Sequence, residues 1–323
     1  MYFKKIFSII VATFVLAFGS ASAIDQDSSH DWSDINILFL IWTAENVEFF
    51  VPSINGAHDA AEDQGISMYM EFGDSDTALT NNILEVAIAN EVDGIVMTVW
   101  DDEAFDEIVC QAVDAGIPVI LHNIDDSQRG KGNCRLAYIG QYFIETGELL
   151  GNHMIAEHGL KAGDHVFTPV EFPEAVYAVQ RHEGVNNAIT ANGGTTEILG
   201  TGSDQSEALN LMVQYLLGHP ETDAVIGLGS TPTSVAVKAV QEAGLDIPVG
   251  GYDITPEILE NIQNGSLTAT VDQQPYFQGF YAVTQMAHLL KYGLLPSDMN
   301  TGGTGLVTKA NVEGAVKWAG VTR

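Results

Sequence analysis

From Asp34 onward, short apolar runs alternate with stretches in which apolar residues recur three and four positions apart. The runs fall at 35–42, 66–72, 92–99, 117–122 and 136–140, then near Val166 and at 196–199, 224–228, 247–252 and 267–271. Between the first two, Val51, Ile54, Ala57, Ala60 and Ala61 keep helical spacing as far as Gly65. Leu79, Ile83, Val86 and Ala87 repeat it in the next interval. Strands alternating with helices of roughly 10 to 18 residues predict βαβ units and parallel sheets covered on both faces.

One internal echo organises these elements. The segment EVDGIVMTVW…AVDAGIPVILHNID (91–125) resembles ETDAVIGLGS…AVQEAGLDIPVGGYDIT (221–255). Each reads Glu-x-Asp, apolar strand, helix, Ala-Gly and an Ile-Pro-Val strand, with Gly116 and Gly244 placed to end their helices. The pattern predicts an α/β chain of two similar, doubly wound parallel-sheet lobes. Asn123 follows Pro118 by five residues, and Asp253 follows Pro248 by five. Open α/β sheets bind ligands beyond the carboxyl ends of their strands, so two facing lobes would aim Asn123 and Asp253 into one shared cleft.

Residues 1–23 stand apart from this alternation. Lys4 and Lys5, an apolar stretch at 6–18 and the small residues Ala21-Ser22-Ala23 have the layout of a secretory signal peptide, its apolar part too short for a membrane span. The expected mature chain is exported and starts near Ile24, with no cysteine beside the cut to carry a lipid anchor. Its length of about 300 residues exceeds what one hydrophobic core usually organises. Removing the two leader lysines takes the formal charge from −31 to −33. That balance argues against nucleic acid and anionic lipid as partners, since both need basic patches. The acids are scattered, which predicts a solvated acidic surface of a kind suited to a saline medium. Cys110 and Cys134 lie 24 residues apart. Outside the cell they are free to form a disulfide, and a buried thiol with an exposed one fits equally.

The motifs FFVPSINGAHDAAEDQG, DAGIPVILHN, YIGQYFIETGELLG, RHEGV, VGGYDITPE and TATVDQQPYFQG, in this order and spacing, resemble the type I periplasmic sugar-binding family, the ribose/galactose-type solute receptors of ABC importers. The resemblance covers 35 to about 309 of the chain. It implies two lobes joined by a three-segment hinge, crossing near Gly140–Gln141, Asp272–Gln273 and Asn300. The N-terminal lobe would be 34–140 plus 273–300, and the C-terminal lobe 141–272 plus 301–323. It also implies a periplasmic, monomeric, cofactor-free receptor that binds a small sugar or polyol and docks on the importer's membrane permease. Matched by position, the family's stacking aromatics fall on Phe49 and Phe50, its ligand-gripping arginine on Arg181, its sugar-binding aspartate on Asp253 and its hinge glutamine on Gln273. A sugar offers apolar C–H faces to aromatic rings and hydroxyls that need partners once buried, which suits this set.

Departures are equally specific. Ribose receptors carry Asp-Arg where this chain has Asn123-Ile124, an asparagine near Gly229 and an aromatic near Asp204, so the ligand is expected to differ from ribose. Trp42, Trp100, His122 and Glu171 lie in segments able to line the cleft instead, and Trp100 joins the expected binding set. GLGSTPTS (227–234) lacks the lysine and glycine spacing of a phosphate loop and reads as a turn with a helix cap. GDSDT (73–77) lacks the downstream glycine and glutamate of a calcium loop and reads the same way. His153 and His158 are spaced apart on a helix and do not form a metal pair. No nucleophile elbow or reactive cysteine setting appears, so no enzyme is expected. A role in presenting the loaded state to a chemoreceptor or sensor kinase would use the same fold, and a nucleotide-dependent oxidoreductase would need a glycine fingerprint that is missing.

Overall fold

The computed structural model describes residues 31–302 and 305–323, so the leader expected at 1–23 lies outside the described residues. β1 (Asn36–Ile41) leads through a 3-10 turn (Glu48–Phe50) into α1 (Val51–Gln64). Then come β2 (Ser67–Phe72), α2 (Thr77–Ala89), β3 (Gly94–Met97), α3 (Asp102–Asp114), β4 (Val119–Asn123) and β5 (Ala137–Gly140). The second series runs α4 (Phe143–His158), β6 (His165–Val170), α5 (Val176–Ala191), β7 (Thr195–Gly200), α6 (Gln205–Gly218) and β8 (Thr222–Ile226). It continues with α7 (Ser230–Glu242), β9 (Val249–Tyr252), α8 (Pro256–Asn264) and β10 (Ala269–Val271). α9 (Pro275–Tyr292), β11 (Met299–Asn300), β12 (Leu306–Thr308) and α10 (Val312–Trp318) complete the chain.

These strands form two six-stranded sheets, ordered β11-β5-β4-β3-β1-β2 and β12-β10-β9-β8-β6-β7. The two orders are the same path drawn twice. Pairing is parallel throughout the first sheet. In the second, only the edge strand β12 runs antiparallel. The chain leaves the first sheet after β5, returns to it after β10 through α9 and β11, and ends in the second sheet with β12.

Apolar residues on consecutive strand positions serve both faces of each sheet. Ile37, Phe39 and Ile41 pack with Ala57, Ala60, Val283 and Met286 of α1 and α9. Leu38 and Leu40 point the other way, against Leu84, Phe105, Ile108 and Val109 of α2 and α3. Val166, Val170 and Ile226 meet α4 and α5, while Phe167 and Val225 meet α6 and α7. Continuous apolar runs in place of alternating ones are what a sheet covered on both sides requires.

Reciprocal glycines lock one helix pair in each lobe. A Cβ on Gly56 of α1 would stand 2.2 Å from the Tyr276 carbonyl oxygen, and one on Gly279 of α9 would stand 2.0 Å from that of Ser53. In the other lobe a Cβ on Gly184 of α5 would stand 2.1 Å from the Ile144 oxygen, and one on Gly147 of α4 would stand 2.6 Å from that of Arg181. Cys110 of α3 and Cys134 are joined in a disulfide, which resolves the alternatives left by their spacing. Asp76 caps α2 through the Ala78 and Leu79 amides, and Thr255 caps α8 through Ile258.

Candidate functional site

The carboxyl ends of β1, β3, β4, β6, β8 and β9 open into one cleft of about 1220 Å³. All seven residues singled out from the sequence line it: Phe49, Phe50, Trp100, Asn123, Arg181, Asp253 and Gln273.

One wall is aromatic. Phe49 and Phe50 belong to the 3-10 turn that starts α1, several residues beyond the end of β1. Their rings meet edge to face at 4.9 Å. Phe50 is only 3 % exposed and packs edge-on against Trp42 at 6.4 Å, so it is chiefly a core residue. Phe49 is half-buried and keeps more of its surface toward solvent. Trp42 lies 5.4 Å from Trp100, which lies 4.4 Å from Phe105. His122 does not join this wall. It is fully buried within the sheet layer, stacked on Phe39 at 4.6 Å, and one ring nitrogen faces the Leu40 carbonyl at 3.3 Å. Burial holds its pKa down at about 4, so the ring is neutral.

A chain of hydrogen bonds crosses from one lobe to the other. Asn123 Nδ2 donates to Gln278 Oε1 at 3.2 Å, and Gln278 Nε2 donates to the Gln273 carbonyl at 3.2 Å. Gln273 Nε2 in turn donates to Asp253 Oδ1 at 2.5 Å. Thr301 Oγ1 also donates to the Gln273 carbonyl, at 2.9 Å. Asn123 and Asp253 have φ of 66° and 73°, a left-handed backbone that Asn and Asp tolerate better than most residues. Burial pushes the Asp253 carboxyl above the ordinary carboxylate range, and the Arg181 charge and Gln273 amide pull it back.

Arg181 rises from α5 into an aromatic cage and is 3 % exposed. Its guanidinium carbon lies 4.4 Å from the Tyr252 ring, 4.9 Å from Phe143 and 5.0 Å from Tyr177. Nη1 donates to the Leu228 carbonyl at 2.8 Å, while buried Nε has no hydrogen-bond partner. A guanidinium carries five N–H donors in a rigid fork, so this one retains donors for a ligand. Among the described residues lining the cleft, Arg181 is the one cation.

Glu171 follows β6 directly and also lines the cleft. Its Oε1 accepts from the Thr231 amide at 2.9 Å and its Oε2 from Tyr177 Oη at 3.2 Å. Burial raises its pKa, opposed first by the Thr231 hydrogen bond. The helix start that the GLGSTPTS motif supplies is therefore occupied by a carboxylate of the chain itself, with Gly229 at the N-cap of α7. Among the described residues no group of three or more His, Cys, Asp or Glu is placed to hold a metal.

Sequence reasoning missed Tyr177 and Gln278. Tyr177 sits four residues before Arg181 on one helical face, a signal that was available. Gln278 lies one turn into α9, where nothing in its own spacing marks it.

A model of the family described as periplasmic binding protein domain matches residues 37–294. The xylose/arabinose-binding protein XylF of Sulfolobus acidocaldarius is 29% identical over 282 residues, covering 82% of this chain and 69% of that protein. The ribose import binding protein RbsB of Escherichia coli is 25% identical over 295 residues, covering 90% and 94% respectively. Among solved structures, a carbohydrate transporter of Acidothermus cellulolyticus in complex with myo-inositol superposes with a TM-score of 0.78 at 27% identity, covering 88% of this chain and 98% of that one. A solute-binding protein of Burkholderia graminis in complex with D-arabinose matches the fold with a TM-score of 0.77 at 23% identity, covering 87% and 97%. With two like-wound lobes around one cleft and a family match across most of its length, this chain belongs to the periplasmic binding protein domain family.

Proposed function

We propose that this chain is an exported receptor that captures a small, uncharged, polyhydroxylated ligand between its lobes and delivers it to an ABC importer. The observation that carries the reading is the Asn123–Gln278–Gln273–Asp253 chain of hydrogen bonds, which links polar groups of both lobes at the floor of the cleft. Above that floor, Phe49 and Trp100 offer apolar faces to a sugar ring, and Arg181 offers unused donors to its hydroxyls. The relatives' ligands, which include pentoses and myo-inositol by their names, support the same class.

The mechanism is lobe closure. A ligand that touches both lobes favours the closed arrangement by its differential affinity, and the importer reads that arrangement. The crossings after Gly140, after Asp272 and after Asn300 serve as the hinge, dividing 34–140 plus 273–300 from 141–272 plus 301–323. Ligand pockets usually measure roughly 300–1,000 Å³. The cleft is larger, which leaves room for the lobes to approach. Family membership implies work outside the cytoplasmic membrane, and we assign export to the leader at 1–23.

Calorimetry and thermal shift against D-ribose, D-xylose, L-arabinose, D-allose and myo-inositol, at low and high salt, test the reading. Saturable one-to-one binding of at least one, lost in Asp253→Asn, is expected. Failure of every neutral sugar and polyol to bind overturns it.

A further inference from the structure

Position 229 and Glu171 compete for one volume. A Cβ built on Gly229 would stand 2.0 Å from Glu171 Oε2 and 2.6 Å from Oε1. No side chain beyond hydrogen fits there while the carboxylate stays where it is. The carboxylate is well held. It accepts from the backbone amide of Thr231, the second residue of α7, where the helix dipole favours negative charge, and from the Tyr177 hydroxyl. An ionised carboxylate offers about four acceptor directions. The Thr231 amide and the Tyr177 hydroxyl take two of them, the residue's own backbone amide also bears on the carboxylate, and Glu171 forms part of the cleft lining.

We infer that Glu171 is a specificity-determining binding residue, which fills the space left by Gly229 and accepts hydrogen bonds from adjacent hydroxyls of a neutral ligand. The inference rests on the sugar-receptor reading and deepens it. A carboxylate accepts and never donates while ionised, so the ligand edge facing Glu171 must present donors. Together with Asp253 it sets two carboxylates against the single guanidinium of Arg181. A sugar acid or sugar phosphate would bring a further negative charge into that balance. The site therefore selects against anions.

The test uses the full mature chain, the five neutral compounds named above and D-gluconate. The wild type is expected to bind at least one neutral compound and to leave D-gluconate unbound. Glu171→Gln, nearly isosteric, is expected to weaken the bound neutral compound at least about tenfold with the circular dichroism spectrum unchanged. Gly229→Asn is expected to weaken it as well by displacing the carboxylate. In a Glu171→Gly background, Gly229→Asn is expected to cause no further loss. That non-additivity shows that position 229 acts through Glu171, while the loss of affinity in folded Glu171→Gln, with stability unchanged in urea unfolding, separates ligand contact from a structural role. Should Glu171→Gln fold poorly, Glu171→Asp keeps the charge but shortens the arm, and the same loss of affinity is expected. An unchanged affinity in a folded Glu171 variant overturns the assignment of Glu171 and leaves the receptor reading standing. Tight binding of D-gluconate by the wild type overturns the charge selection. Failure of all neutral compounds overturns the receptor reading and this inference together.

Discussion

Asn123 and Asp253 occupy equivalent places in the two lobes, down to the hydrogen bond that fixes each backbone. Each sits at the end of its strand in a left-handed conformation, φ 66° and 73°. The Asn123 carbonyl accepts from Tyr138 Oη at 2.8 Å, and the Asp253 carbonyl accepts from Thr270 Oγ1 at 2.8 Å. Tyr138 pairs in register with Leu121 and Thr270 with Gly251, each two residues before the residue it holds. The adjoining strand thus clamps each polar residue so that its side chain points into the cleft.

That clamp separates backbone from side-chain effects. A left-handed backbone costs an L-residue roughly 1–2 kcal/mol, which glycine escapes. Asn123→Gly loses the bond to Gln278 but gains this relief, so its stability is expected to stay within about 1 kcal/mol of wild type. Its ligand affinity is expected to fall about tenfold. Asn123→Val, β-branched and strained at positive φ, is expected to lose roughly 2 kcal/mol or more. Urea unfolding of both variants checks the pair, and equal destabilisation would show that the backbone conformation is not under strain.

Phe49 and Phe50 separate in a different way. Phe50 is 3 % exposed and belongs to the core of the first lobe, whereas Phe49 is half-buried at the cleft. Phe50→Ala is expected to cost about 3–4 kcal/mol of stability, as buried Phe truncations do. Phe49→Ala is expected to cost about 1 kcal/mol while carrying the larger loss of ligand affinity. Denaturation and calorimetry on the two variants read this directly. The reverse order would make Phe50 the stacking ring.

Much of this was legible in the chain. Apolar runs with helical intervals gave two βαβ lobes, and the Ile-Pro-Val echo put Asn123 and Asp253 at matching strand ends, because strand ends and helix stops are local events. The parts that stayed hidden depend on contacts between distant segments. His122 looked like a cleft residue because it neighbours Asn123, yet one step along a strand reverses the side chain and buries the ring on Phe39. Phe49 and Phe50 look alike in sequence, and only the helical turn they adopt divides core from cleft. The meaning of Gly229 depends on Glu171, 58 residues earlier, and no local pattern connects them.

The Cys110–Cys134 bridge closes a loop that carries Asp125, Asp126 and Arg129, and it anchors Arg135, the residue after Cys134. Arg135 pairs with Asp125 at 2.6 Å and with Asp298 at 2.8 Å, and Arg129 reaches Glu145 on α4 at 2.8 Å. Chain entropy for a loop of this length predicts a loss of about 3 kcal/mol when both cysteines become alanine. For a protein of this size the melting temperature is expected to fall by roughly 5–10 °C. Thermal unfolding with and without a reductant tests it, and a reductant-insensitive wild type would mean the bridge contributes little.

His122 sets an acid limit on the fold. Unfolded, a histidine titrates near its ordinary 6.5, whereas here burial lowers it to about 4. Between those values the unfolded chain binds a proton that the folded chain refuses, so stability falls as pH drops through this window. The contribution is complete above about pH 6.5 and reaches a loss of roughly 3 kcal/mol near pH 4. Buried Asp253 and Glu171 act in the opposite sense. Burial raises their pKa values, so each favours the fold as pH falls and it takes up a proton. Subtracting a variant that keeps both carboxylates isolates the histidine. His122→Leu fills the same layer against Phe39 without a titrating group. The stability advantage of wild type over His122→Leu is expected to shrink by roughly 3 kcal/mol between pH 7 and pH 4. Urea unfolding of both proteins across that range measures the difference, and a constant gap would mean that His122 titrates normally in the folded protein.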